Sequence, residues 1–338
     1  MSQFYKLLFF VTLVAGSLIA ISAYSWMGMW IGLEINLLSI IPLLSETKNL
    51  YPSESALKYF ITQALASSVL LFSMLLSFNI SEFLTTQPEF YSMVIMNSAL
   101  LTKMGAAPFH AWFPEVMEGL SWSNCLIMLT WQKLAPMVLL MYHLNMTLFL
   151  SMIILFSSII GGIAGLNQIS LRKIMAYSSI NHIGWMIGGM LNSQSIWLIY
   201  FLVYSIITIN IVIVFWSLNT FYLKQLFNSL NQSKSMKFLF ILNFLSLGGL
   251  PPFLGFFPKW LTINNLVQNN FMFISFILIV LTLITLYFYL RISFSTMVIN
   301  SQETLILKEN IPNKFIVLSI NFISLVGLIA CTLIFSNL

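Results

Sequence analysis

MGAAPFHAWFPEV, from Met104 to Val116, returns in altered form as GGLPPFLGFFPKW, from Gly248 to Trp260. At one constant offset Gly105 falls on Gly249, Pro108 on Pro252, Phe109 on Phe253, Phe113 on Phe257 and Pro114 on Pro258, and Trp112 meets Phe256 as a further aromatic match. The chain therefore contains an internal repeat. Each copy lies inside a long apolar stretch. Its first shared proline removes a backbone donor and crowds the carbonyl four residues back, so a helix running through it must break. Interrupted backbone at membrane depth is tolerated only where protein buries it or where it lines a polar cavity. A lysine accompanies each copy, Lys103 just before the first break and Lys259 within the second. Interrupted helices at corresponding places in two halves point to a transport path.

The rest of the chain is of the same kind. Of its 338 residues, 59% are hydrophobic and 7% charged, with a mean hydropathy of +0.94, which leaves too few charges to coat a water-soluble core. The net charge of +5 does not signal nucleic acid, because the 14 Lys and Arg are scattered and form no basic stripe. Cys125 and Cys331 lie in apolar stretches without partner spacing, and the three histidines join no Cys/His/Asp cluster, so neither a disulfide framework nor a metal centre is indicated. No phosphate loop, dinucleotide fingerprint or CxxC pattern occurs. Apolar residues begin at Phe4, with no cleavable signal or Arg-rich transit segment before them.

Apolar runs of about 20 residues predict an all-α polytopic membrane protein of about eleven helices, two of them discontinuous. The spans are 4–22, 26–45, 54–77, 88–118 (broken), 122–143, 147–166, 171–190, 195–220, 237–268 (broken), 271–292 and 313–336. Loops are short, with the largest polar connections at Tyr222 to Lys237 and Ser293 to Lys314, so residues 1–338 read as a single transmembrane domain. Within it the first repeat is 1–143, the second is 147–292, and 313–336 is an extra C-terminal helix. The two copies fall five crossings apart and so run in opposite directions, an arrangement of inverted repeats. Lys6, Lys48, Arg172, Lys173, Lys224, Lys234, Lys237, Arg291, Lys308 and Lys314 occupy the amino terminus or even-numbered loops, and odd loops carry no Lys or Arg. The amino terminus is thus expected on the electrically negative side and the carboxyl terminus opposite.

A charge at mid-bilayer costs on the order of 2.5 to 3.5 kcal/mol even on lenient scales, so each one there needs a reason. Glu34, Lys103 and Lys133 lie near the middle of spans, and Lys259 lies past the middle of the ninth. Lysine suits proton transfer because burial and a nearby carboxylate push its proton affinity in opposite directions. Glu34 is the expected partner of Lys103, with a relay from Lys103 to Lys133 and then Lys259, bridged by waters. His182, central in the seventh span, is a further relay candidate, with a structural hydrogen bond as the alternative. A structural ion pair is the alternative for Glu34, Lys103 and Lys133, and snorkelling toward the surface for Lys259. Lys58 reads as a snorkelling anchor rather than a relay member, Glu115 and Glu118 as a solvated helix end with a proton entry as the alternative, and His110 as a cap for freed carbonyls. GGIAG (Gly161 to Gly165) and the pair Gly188 and Gly189 permit close helix approach.

The stretches ALKYFITQALASS, KMGAAPFHAWFPEV, LTWQKLAPM, LRKIMAYSSINHIGWM and LSLGGLPPFLGFFPKW resemble the antiporter-like membrane subunits of the mitochondrial NADH:ubiquinone oxidoreductase, respiratory complex I, a family shared with Mrp-type cation/proton antiporters. The resemblance implies a core subunit of the membrane arm, in the mitochondrial inner membrane, with its amino terminus in the matrix and its carboxyl terminus in the intermembrane space. It implies proton translocation coupled to NADH oxidation and ubiquinone reduction in other subunits. No cofactor is then expected on this chain, with flavin, iron-sulfur clusters and ubiquinone elsewhere in the complex. Expected partners are neighbouring antiporter-like and small membrane subunits and phospholipids, and no nucleic acid. By motif Glu34, Lys103, Lys133 and Lys259 match the family's glutamate, broken-helix lysine, following-helix lysine and distal lysine. Two departures stand out: additional first helices of bacterial relatives have no counterpart here, and the positions offset from Glu34, Lys103 and Lys133 are Ser178, Leu247 and Ile277.

Two other functions compete. A free-standing cation/proton antiporter would need carboxylates to coordinate its cation, and mid-membrane carboxylates are scarce here. A structural membrane subunit would keep its charges only to fix helix packing, and would pump normally after Lys133 is neutralised. Glycosylation at Asn79-Ile80-Ser81 or Asn145-Met146-Thr147 would instead mark a secretory-route protein.

Overall fold

The computed structural model describes residues 4–46, 49–83, 88–230 and 234–298. The chain separates into two compact units, residues 1–153 and the part from Ile154 onward. The first unit holds α1 (Phe4–Ser22), α2 (Trp26–Leu44), α3 (Leu50–Phe83), α4 (Pro88–Met104), α5 (Trp112–Gly119), α6 (Trp122–Leu129) and α7 (Trp131–Leu140). α8 (Thr147–Ile163) runs across the division. The second unit continues with α9 (Leu171–Met190), α10 (Gln194–Leu218), α11 (Leu223–Leu230), α12 (Lys234–Gly248), α13 (Phe256–Gln268) and α14 (Met272–Val298).

Local chemistry sets many of these boundaries. Ser25 caps α2 by accepting the Gly28 N–H at 3.2 Å, the usual service of a serine to orphan first-turn donors. Asn219 ends α10 in the left-handed region, φ 48°, where asparagine substitutes for glycine at a helix end. α1, α2, residues Leu50–Ser77 of α3, the run Trp122–His143, α10 and Met272–Met297 of α14 are each long and apolar enough to cross a membrane. Their outward residues, such as Leu7, Leu18, Leu65, Phe72, Leu198, Phe276 and Leu283, are large, apolar and exposed, as lipid-facing or subunit-facing surfaces require. α9 is the reverse case. It is buried without interruption from Ser178 to Met190, so it is an inner helix that can carry polar residues.

Most expected spans correspond to helices within a few residues. Two differences matter. The expected span 122–143 is divided at Thr130, whose Oγ1 bonds the Leu126 carbonyl at 2.8 Å, a back-bond that bends helices. The expected polar connection from Tyr222 to Lys237 contains α11, because Leu226 and Leu230, one helical turn apart, bury a common face. The strand-like bridge between Ser170 and Tyr222 fixes where α11 starts. The expected helix 313–336 lies outside the described residues.

Candidate functional site

Both copies of the repeated segment interrupt a helix in the same way. α4 stops at Met104 and α12 at Gly248. Gly105 and Gly249 both sit at φ +76°, a conformation that costs other L-residues through their Cβ. In the first copy the Gly105 N–H reaches the Thr102 carbonyl at 3.1 Å and the Ala106 N–H the Leu101 carbonyl at 3.0 Å; in the second, Gly249 reaches Ser246 at 3.0 Å and Leu250 reaches Leu245 at 3.3 Å. These are the paired bonds of a Schellman helix end, at equivalent residues. The chain then turns through the prolines and restarts as α5 at Trp112 and α13 at Phe256.

In the first unit the break sets Lys103 against a polar cavity of about 10 Å³, lined by Leu33, Asn36, Leu37, Tyr59, Gln63, Lys103, Gln132 and Pro136, room for about one water. Gln132 Nε2 donates to Asn36 Oδ1 at 2.8 Å, and the Tyr59 hydroxyl donates to Gln132 Oε1 at 3.4 Å. The Trp112 indole N–H caps the Thr102 carbonyl at 3.0 Å, so an end carbonyl of α4 is satisfied by a neutral donor. Lys133, on α7, is 1% exposed. Its Nζ stands 5.3 Å from the Phe113 ring centroid, a cation–π distance, so a repeat residue of α5 faces the second lysine.

The expected ion pair between Glu34 and Lys103 is not formed. α2 presents Leu33, Asn36 and Leu37 to the cavity, and one residue beyond Leu33 the helix has turned by about 100°, which carries Glu34 off that face. Glu34 is half-buried, and its Oε1 has no hydrogen-bond partner among the described residues. Lys58 pairs with Glu54 at 3.1 Å and Glu115 at 3.3 Å, with side chains 45%, 63% and 60% exposed, so it is a surface anchor tying α3 to α5.

In the second unit Lys259 is 7% exposed, and it does not snorkel. Its ammonium donates to the Gly248 carbonyl at 2.8 Å and approaches the Leu247 carbonyl at 3.5 Å, with the Trp185 ring centroid 5.8 Å away. It therefore caps the carboxyl end of the half-helix α12, where the aligned peptide dipoles favour a cation. His182 is buried, and its Nδ1 lies 2.9 Å from the Tyr200 hydroxyl. Both line a second cavity of about 10 Å³ that reaches Leu247, Gly255 and Pro258 at the break. His110 Nδ1 faces the Pro108 carbonyl at 3.2 Å, as a cap for freed carbonyls should. His143 stacks on Trp26, with ring centroids 4.7 Å apart. Gly161 allows close approach, since a Cβ there would lie 2.7 Å from the Asn181 nitrogen; Gly188 meets only ordinary contacts near 3.8 Å.

The sequence reading found the charged members and missed Asn36, Tyr59, Gln63 and Gln132. A signal was present: Tyr59 and Gln63 are four apart on one face of α3, Asn36 follows Glu34 by two residues, and Gln132 adjoins Lys133.

Residues 23–285 match the family model described as NADH:quinone oxidoreductase/Mrp antiporter, TM. The chain is 52% identical to NADH-ubiquinone oxidoreductase chain 2 of Anopheles gambiae, over 97% of this chain and 97% of that protein. It is 38% identical to the protein of the same name from Ovis aries, over 88% and 86%. A chain of respiratory complex I from Thermus thermophilus shares the fold with a TM-score of 0.86 at 23% identity, over 97% of this chain and 78% of that one. An Mrp complex from a Dietzia species shares it with a TM-score of 0.75 at 15% identity, over 84% and 59%.

Proposed function

This chain belongs to the NADH:quinone oxidoreductase/Mrp antiporter family of transmembrane subunits, and on that premise we propose how it moves protons as a membrane subunit of respiratory complex I. The observation that carries the reading is the placement of Lys103, Lys133 and Lys259. All three are buried in helices of a membrane protein, two of them at interrupted backbone. A buried cation is kept at such depth only against a large desolvation cost, and the polar cavity at the first break and the helix-end carbonyls at the second supply what ordinary helix packing does not.

Within the first unit Lys103 is the carrier at the cavity, Glu34 biases it through its charge, and Lys133 is the receiving group on α7. Within the second, Lys259 is the carrier at the break, and the His182 and Tyr200 pair is the neighbouring group able to hold or pass a proton. The redox chemistry belongs to other subunits, with their flavin, iron-sulfur clusters and ubiquinone. The chain takes its energy from their rearrangement. Neighbouring antiporter-like and small membrane subunits and phospholipids cover its apolar faces. The Lys/Arg bias supports an amino terminus in the matrix of the mitochondrion.

The test is proton translocation by the assembled complex in liposomes, read as protons moved per NADH oxidised. Lys103→Met and Glu34→Ala should each lower that ratio. Wild-type ratios in both variants would refute the reading.

A further inference from the structure

The cavity beside Lys103 is built for a ligand. Gln63 is 3% exposed and lines it, yet its Nε2 is buried with no hydrogen-bond partner among the described residues. A buried amide N–H left unpaired is costly, and native proteins satisfy such groups with protein or with ordered water. The opposite wall is already fixed: Gln132 is held by Asn36 through its Nε2 and by Tyr59 through its Oε1. The Tyr59 bond, at 3.4 Å, is long and leaves that carbonyl oxygen a lone pair to offer. Lys103 contributes an ammonium with three donors. The volume admits about one water, and donors and acceptors on several walls meet the two to four partners a buried water needs.

A comparison between the repeats sharpens this. Tyr59, Gln63 and Lys103 correspond by the repeat offset to Val203, Ile207 and Leu247. Those three residues line the second unit's cavity. Each unit thus has a small cavity that touches these three repeat positions, and only the first unit fills them with hydrogen-bonding groups.

We propose that the first cavity is a binding site for one internal water, held by Gln63 and Gln132, that solvates the Lys103 ammonium, and that Gln63 is its positioning residue. This rests on the reading of Lys103 as a proton carrier and adds the group through which that carrier is kept hydrated. Water donates to Gln132 Oε1 and accepts from Gln63 and Lys103. The amine thereby keeps a polar contact that the Glu34 carboxylate does not give it directly.

Two measurements on the assembled complex test it. A density map at a resolution that shows waters should place one within hydrogen-bond distance of both Gln63 Nε2 and Lys103 Nζ. Gln63→Met, close in volume and without hydrogen-bonding groups, should lower protons moved per NADH at least half of the way to the level of Lys103→Met. Gln63→Asn, which keeps the amide, should restore most of the loss. A map with no water there, or an assembled Gln63→Met complex pumping as wild type, overturns the water site. If Gln63→Met does not assemble, the map decides. Loss of pumping in Lys103→Met beside normal pumping in Gln63→Met rejects the water and leaves the carrier reading intact; normal pumping in Lys103→Met rejects the carrier itself.

Discussion

Replacing Lys259 with methionine isolates the interaction that holds the second break. The lysine donates to the Gly248 carbonyl at 2.8 Å and only grazes the Leu247 carbonyl at 3.5 Å, so one good charge-assisted bond is lost. Such a bond contributes about 1.5–3 kcal/mol. For a local opening of the break, the desolvation of the lysine cancels, because its side chain stays at membrane depth whether the break is open or closed. The opening free energy should therefore fall by roughly 2 kcal/mol, about 30-fold in the opening equilibrium. Hydrogen–deuterium exchange of the assembled complex, followed on peptides covering 245–258, reads this directly. Lys259→Met should exchange about 30-fold faster there, while Lys259→Arg, which keeps a cation at the helix end, should remain near wild type. Unchanged exchange in the methionine variant would refute the claim that the ammonium caps α12.

Four further outcomes follow from the same geometry. Gly249→Ala adds a Cβ at φ +76°, which costs about 1–2 kcal/mol, and sets it 2.7 Å from Lys259 Cδ; protons moved per NADH should fall, and the exchange of the break should rise as in Lys259→Met. Gly161→Val forces α8 off the Asn181 backbone at an overpacking cost of about 1–3 kcal/mol or more, and native gels should show less assembled complex. Tyr200→Phe removes the hydroxyl 2.9 Å from His182 Nδ1; a fall in protons moved per NADH is expected, and a wild-type ratio would remove the His182 pair from the path. Lys58→Met breaks ion pairs whose members are 45–63% exposed, where solvent screening leaves such pairs little weight, so both assembly and pumping should stay near wild type.

How far the sequence reaches into this structure depends on the kind of signal each feature leaves. Prolines and glycines at a repeated spacing leave a strong one, because few residues tolerate that backbone, so the breaks at Gly105 and Gly249 were legible. Lysines in apolar spans are equally visible because their cost is large. Thr130 ends α6, whereas the breaker in LTWQKLAPM, Pro136, stands six residues on inside α7, so the stretch carries a proline signal that does not place the division at the back-bonded threonine. α11 was hidden because its two buried leucines stand among polar residues that read as a loop. Glu34 was assigned the wrong contact for a different reason. Depth in the membrane can be counted along a chain, but which face of α2 meets the cavity depends on packing, and the 100° between neighbouring residues decides it. The neutral polar wall of Asn36, Tyr59, Gln63 and Gln132 carries no charge penalty large enough to draw attention in a sequence, although it determines the chemistry around Lys103.

The two breaks share a backbone and divide their chemistry. At the first, the neutral Trp112 indole takes an end carbonyl of α4, so Lys103 is left to the polar cavity. At the second, Phe256 stands where Trp112 would and has no donor, and Lys259, in the register that Glu115 occupies in the first copy, caps a different end carbonyl, that of Gly248, the counterpart of Met104. The cavity position of Lys103 is then Leu247. Each unit thus keeps one lysine at its break, used in opposite ways. On the proposed carrier reading, a proton leaving Lys103 changes the charge of the polar cavity and leaves the helix end untouched. A proton leaving Lys259 removes the positive charge from the end of α12, weakening a charge-assisted bond to Gly248 and the favourable interaction with the helix dipole. Charge movement is therefore coupled to backbone order in the second unit far more tightly than in the first.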